Sequence, residues 1–95
     1  MMTNAFETFL FNEPCISSKA AVTTRLRQAE KAEEYLNTSL DVIVSDDDRM
    51  YEALVALDAV DSDRSRMQNA VRKYYKFKNQ KEFPRLRNYH SAKHP

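Results

Sequence analysis

The sequence predicts an all-α domain, a compact bundle of four to five helices, and three observations carry that prediction. None of its 95 residues is glycine, where a chain of average composition would hold about six or seven. Without glycine the Asn-Gly and Asp-Gly corners that close tight hairpins are missing, so a β-rich fold lacks its usual turns. Apolar residues also recur near helical period in several separate stretches. Finally, serine, asparagine or aspartate stands ahead of these stretches, where helix N-termini need an acceptor for unpaired backbone N–H groups.

A chain of this length makes one domain, residues 1–95, burying about 60–65% of its unfolded surface. That suffices for a modest core and leaves no room for a second domain or a deep catalytic cleft. Positive φ has to fall to residues other than glycine, and Asn12, Asn37 and Asn79 sit where helices end.

Taken in order, a first helix is expected from Thr3 to Phe11, with Asn4 and Glu7 at capping-box spacing and Phe6, Phe9 and Leu10 as its apolar side. Glu13-Pro14 ends it. Ser17 or Ser18 then caps a longer helix running to about Leu36, whose stripe is Val22, Leu26, Ala29 and Leu36 with Ala32 and Tyr35 beside it. Arg25, Arg27, Gln28, Glu30, Lys31 and Glu34 fill its wet sides. The segment TSLDVIV, residues 38–44, has β-branched residues but no partner strand, so Ser39 ahead of Leu40 and Ile43 is read as the start of one or two helical turns. Asp46, Asp47 and Asp48 open a fourth helix, where carboxylates face the positive end of its dipole. Met50, Tyr51, Leu54 and Leu57, with Val55 alongside, form its buried side.

The fifth helix, Ser65 to Lys78, is the most amphipathic. Met67, Ala70, Val71 and Tyr74 share one side while Arg66, Asn69, Arg72, Lys73 and Lys76 share the other. Ser65 and Gln68 have capping-box spacing, and Asn79 supplies a stop. A last short turn follows Phe83-Pro84, with Pro84 at its first position and Leu86 and Tyr89 turned inward. Residues from about 90 to 95 are expected to be a frayed tail.

The formal net charge of +1 conceals a separation. Through Asp61 twelve carboxylates face five cations, a balance of −7, whereas from Ser62 onward ten cations face two carboxylates, a balance of +8. Such asymmetry marks nucleic-acid binding, a patch for an acidic protein, or two halves that attract each other within the fold. The central expectation is that the cationic flank of the fifth helix lies in water as one continuous strip, its tyrosine and valine flank turned inward. Lys81, Arg85 and Arg87 extend it. Tyr74, Phe77 and Phe83 are expected in the core, and Tyr75 is the aromatic expected to be partly exposed.

Other chemistries are excluded or disfavoured. Glycine-rich phosphate loops cannot be built. Cys15 is alone, so an internal disulfide is impossible, in keeping with a reducing compartment. The aspartate run lacks the spacing and glycine turn of a calcium loop. His90 and His94 are one helical turn apart without a third ligand. No nucleophile has a recognisable base beside it. The sequence calls for no catalytic residue, metal or cofactor, and an enzyme is not expected. There is no run of about twenty apolar residues and no basic leader, so a cytoplasmic protein without a membrane span is expected.

The segments FETFL, SSKAAVTTRLRQAEKAEEYL and DRSRMQNAVRKYYKFKN, with a shorter helix between the last two, resemble the N-terminal core-binding domain of tyrosine recombinases and phage integrases. The likeness covers roughly Phe6 to Asn79. It implies a SAM-like helical bundle that clamps DNA opposite a catalytic domain, with Lys19, Thr23 or Thr24, Arg66, Arg72 and Lys73 at DNA-side positions. The catalytic domain is absent, so recombination by this chain alone is not implied, and the family does not require the acidic block at Asp46 to Asp48.

Two expectations about function follow. One is a small non-catalytic nucleic-acid-binding domain in which Arg66, Arg72, Lys73, Lys76, Lys81, Arg85 and Arg87 contact the phosphates of DNA or RNA. The other is a protein-interaction module, such as a phage or mobile-element inhibitor or regulator. It would offer Phe6, Phe9 and Phe11, or the acidic Asp46, Asp47 and Asp48, to a protein partner.

Overall fold

A computed structural model describes residues 1–14, 16, 18–61 and 65–89, and among these described residues are five α-helices and a final 3-10 turn. Cys15, the alternative cap Ser17, Asp63, the two histidines and the proposed frayed tail lie outside these residues. The helices are α1 (Thr3–Phe11), α2 (Lys19–Leu36), α3 (Leu40–Val44), α4 (Asp47–Asp58) and α5 (Arg66–Asn79), and the turn is Leu86–Asn88. No strand occurs among the described residues. The fold is an all-α bundle, with a radius of gyration of 12.7 Å, close to the ~12 Å of a folded chain this long.

Each helix start has a physical reason, and two differ from expectation. Ser18 accepts from the Ala21 backbone N–H at 3.1 Å, Ser39 from Asp41 at 3.2 Å and Asp46 from Asp48 at 3.2 Å, each satisfying an orphan donor of a first turn. At α1 no side chain caps. The Met2 carbonyl accepts from Phe6, and the Met2 N–H donates to the Tyr74 hydroxyl at 2.9 Å, so packing takes the place of the Asn4–Glu7 box. At α5 Ser65 adopts φ 51° and makes no side-chain cap. Asp61 caps instead, one carboxylate oxygen accepting from Met67 at 3.1 Å and the other from Gln68 at 2.9 Å. A carboxylate taking two N–H groups at the positive end of a helix is a stronger cap than a serine hydroxyl.

Helix ends differ in a similar way. Asn37 is left-handed as expected, at φ 52°, but Asn12 stays helical at φ −96°. Asn79 also remains helical, because its side-chain amide donates to the carbonyls of Val44 and Tyr75, and the left-handed residue is Gln80 at φ 61°.

α5 is the hub, packing against all four other helices and most extensively against α2. Phe6, Leu10, Val22, Ala29, Ala32, Leu40, Met50, Leu54, Leu57, Ala70, Val71 and Tyr74 are all fully or almost fully buried. Tyr75 is in the core too, at 1% exposure, contrary to expectation. With α2 on one flank and α3, α4 and Phe83 on the other, the covered face of α5 is wider than its apolar stripe. Tyr75 reaches through that cover so that its hydroxyl donates to Asp47 at 2.7 Å, its ring edge-on to Phe83. Tyr35 and Val55, placed beside apolar stripes in the sequence, are exposed. The last turn begins at Leu86 instead of Pro84, with Leu86 and Tyr89 half-buried against the core. No helix among the described residues is long and apolar enough to cross a membrane.

Candidate nucleic-acid interface

The acidic and basic halves meet through tyrosines as well as through ion pairs. Besides Tyr75 and Asp47, Tyr74 donates to Asp41, and Tyr89 to Asp48 at 2.5 Å. Burial, reinforced by the neighbouring aspartates, pushes the Tyr74 and Tyr75 hydroxyls up to about 12. The Asp48 hydrogen bond raises Tyr89 likewise. Burial works against the charge on Asp41, but the Tyr74 hydroxyl and the Met1 ammonium, 3.1 Å away, outweigh it and hold that carboxyl below its ordinary value.

This arrangement buries Phe6 and half-buries Phe9 of the expected aromatic surface, and it gives each of the three aspartates, of which Asp46 and Asp47 stay exposed, a partner within the fold. Asp46 caps α4, while Asp47 and Asp48 accept from tyrosines. Phe6 is completely buried and touches Phe9, Tyr74 and Phe77. Phe9 is half-buried in the same cluster, leaving only Phe11 of the three open, at 51%. Phe6 and Phe9 fill an internal groove between α1 and α5, a cheaper fate than exposure to water.

The cationic strip is also not what periodicity implied. Arg72, Lys73 and Lys76 do not project into water. They are half-buried along a cleft of about 490 Å³ whose lining also includes Arg25 from α2, and Glu82, Phe83 and Arg85 from the segment after α5. The physical reason is that α2 and the returning chain stand on either side of α5, turning a convex stripe into a groove. Arg72 donates from one terminal nitrogen to the carbonyls of Phe83 and Pro84, at 2.9 and 3.2 Å, with its guanidinium 5.9 Å from the centre of the Phe83 ring. Burial, and the nearby charge of Arg85, draw its pKa down.

Glu13 crosses from the α1–α2 connection to this wall. Its carboxylate accepts from Lys73 at 2.7 Å and from Lys76 at 3.0 Å, and it is only 8% exposed. The Lys73 hydrogen bond holds its carboxyl below the ordinary value against the opposing effect of burial. The five cations of the cleft lining therefore face Glu82 and Glu13, and the balance stays positive by three. An ammonium carries three N–H donors, so a carboxylate at one of them does not exhaust it.

A second hollow of about 380 Å³ continues the cleft between α2 and α5, lined by Ala21, Thr24, Arg25, Gln28, Arg66 and Asn69. Arg25 and Asn69 border both hollows, so the two adjoin along the α2–α5 seam as hollows of its groove. Of the seven cations singled out in the sequence, the groove brings together Arg66, Arg72, Lys73, Lys76 and Arg85; Lys81 and Arg87 are exposed but do not line it. Of the DNA-side positions implied by the resemblance for α2, Thr24 lines the groove, while Lys19 and Thr23 do not. Lys78 turns to Asp41, 3.7 Å away. The sequence left Arg25 out, because its place depends on how α2 packs on α5. Among the described residues no three histidine, cysteine, aspartate or glutamate side chains gather as metal ligands do.

Comparison with known protein families, curated proteins and solved structures finds no match to this chain.

Proposed function

We propose that this protein binds nucleic acid through the phosphate backbone, using the α2–α5 groove as its site, and that it does so without catalysis. The observation that carries this reading is the convergence of Arg25, Arg66, Arg72, Lys73, Lys76 and Arg85, from three separate parts of the chain, on two adjoining hollows of the α2–α5 groove. Like charges gathered this closely repel one another, and a polyanion relieves that cost while releasing its counterions. The walls also speak against a protein partner. Phe83 is the one large apolar side chain lining the groove, and it is 4% exposed. Among the described residues the groove therefore presents no open large apolar side chain to the aromatic or aliphatic anchors that dominate protein interfaces. Tyr74 and Tyr75 are buried and no tyrosine lines the groove, so recognition rests on phosphates and sequence preference is weak. The resemblance to integrase core-binding domains points to the same ligand class.

Fluorescence anisotropy with a labelled oligonucleotide tests the proposal. If four phosphates of a single strand are neutralised, affinity falls about fiftyfold between roughly 50 and 200 mM salt. Replacing the exposed Arg66 and Arg85 together by glutamate abolishes binding at the higher salt while the far-UV circular dichroism stays that of the parent. Absence of binding at roughly 50 mM salt, or binding indifferent to salt, refutes the proposal.

A further inference from the structure

We infer that the groove takes single-stranded nucleic acid in preference to duplex, an inference that rests on the phosphate-binding reading above. The argument comes from how deep the cations sit. Arg25, Arg72, Lys73 and Lys76 are half-buried, the side chains of Lys73 and Lys76 being 17% and 32% exposed, whereas Arg66 and Arg85 stand open. The groove follows the line where α2 packs on α5, with four of its cations less exposed than Arg66 and Arg85. A B-form duplex is a stiff rod that cannot bend its backbone into so short a groove. It rides on the rim and meets Arg66 and Arg85, leaving four cations below it without a phosphate. A single strand is thin enough to enter and reach all six.

Length agrees with this. From Arg66 to Lys76 along α5 is about 15 Å at 1.5 Å per residue. That matches about four nucleotides at the 3.4 Å spacing of one strand, the lower end of single-strand site sizes. Arg72, held by two backbone carbonyls with its guanidinium 5.9 Å from the centre of the Phe83 ring, adds a guanidinium of the kind on which an unpaired base stacks.

The test compares a labelled twelve-nucleotide thymidine strand with a twelve-base-pair duplex and a poly-glutamate peptide of matched charge, at low salt. The strand binds about tenfold tighter than the duplex. Arg25→Ala weakens the strand about fivefold, lowers its salt slope by about 0.7 and leaves the duplex unchanged within a factor of two. Gln28→Lys, which adds a cation to the groove wall at a site where misfolding cannot mimic the result, tightens the strand about threefold and not the duplex. A duplex that binds as tightly as the strand, or a loss of both on Arg25→Ala, overturns the inference and leaves phosphate binding standing. Equal binding of the peptide overturns it in favour of an acidic protein segment. No binding of either nucleic acid overturns inference and proposed function together.

Discussion

At the scale of single residues, the absence of glycine has a measurable consequence. Asn37, Ser65 and Gln80 all hold left-handed backbone conformations, at φ 52°, 51° and 61°. Asparagine tolerates that region because its short amide bonds locally, whereas glutamine carries the full Cβ penalty of about 1 kcal/mol. Gln80→Gly is therefore expected to stabilise the fold by about 0.5–1 kcal/mol, the relief of strain exceeding the added freedom of the unfolded chain. Urea denaturation monitored by circular dichroism checks it, and a loss of stability would show that Gln80 makes a contact worth more than its strain. Asn37 was legible as a helix stop from sequence because Leu36 ends an apolar stripe. Gln80 was not, since the competing role of Asn79 depends on the Val44 carbonyl, 35 residues away.

At the scale of elements, helix extents followed from local pattern. The α1 stripe of Phe6 and Leu10, the α2 stripe from Val22 to Ala32, and the caps Ser18 and Ser39 all act within one or two turns, and the structure keeps them. What local pattern could not show is the traffic between elements: Asp61 capping α5 across an undescribed connection, Tyr75 covered from two sides, and Glu13 reaching Lys73 and Lys76 sixty residues on. Glu13 ties the α1–α2 connection to α5, and its pH dependence has a definite sign. Its folded carboxyl ionises below the ordinary value of 4.5. Its stabilising effect is therefore full above that pH and is lost as pH falls through the folded value. Asp41, held below 3.8, acts in the same direction. Thermal unfolding is expected to give a flat Tm from neutral pH to about 5 and a fall below it. Glu13→Gln should cost about 1–3 kcal/mol at neutral pH and soften the acid fall. An acid profile identical to that of the parent would contradict the Glu13 bridge.

At the scale of the whole molecule, charge separation along the sequence turns out to serve two ends. Part of it holds the halves together, as Tyr74, Tyr75 and Tyr89 donate to Asp41, Asp47 and Asp48 and Glu13 joins two lysines. Another part, Arg66, Arg72, Lys73, Lys76 and Arg85, is gathered with Arg25 where α2 packs on α5, and packing converts a cationic stripe into a groove. Basic residues on α5 were legible in the sequence as one face; Arg25 as their opposite wall was not, because only tertiary structure sets α2 against them. The account stands on that groove being where nucleic acid sits. The most direct measurement is a titration of the isotope-labelled protein with a short thymidine strand, followed residue by residue in nitrogen–proton correlation spectra. Shifts concentrated at Arg25, Gln28, Arg66, Asn69, Lys73 and Lys76 are the result expected, while shifts centred on Phe11 or on Asp46 to Asp48, with the groove silent, would contradict it.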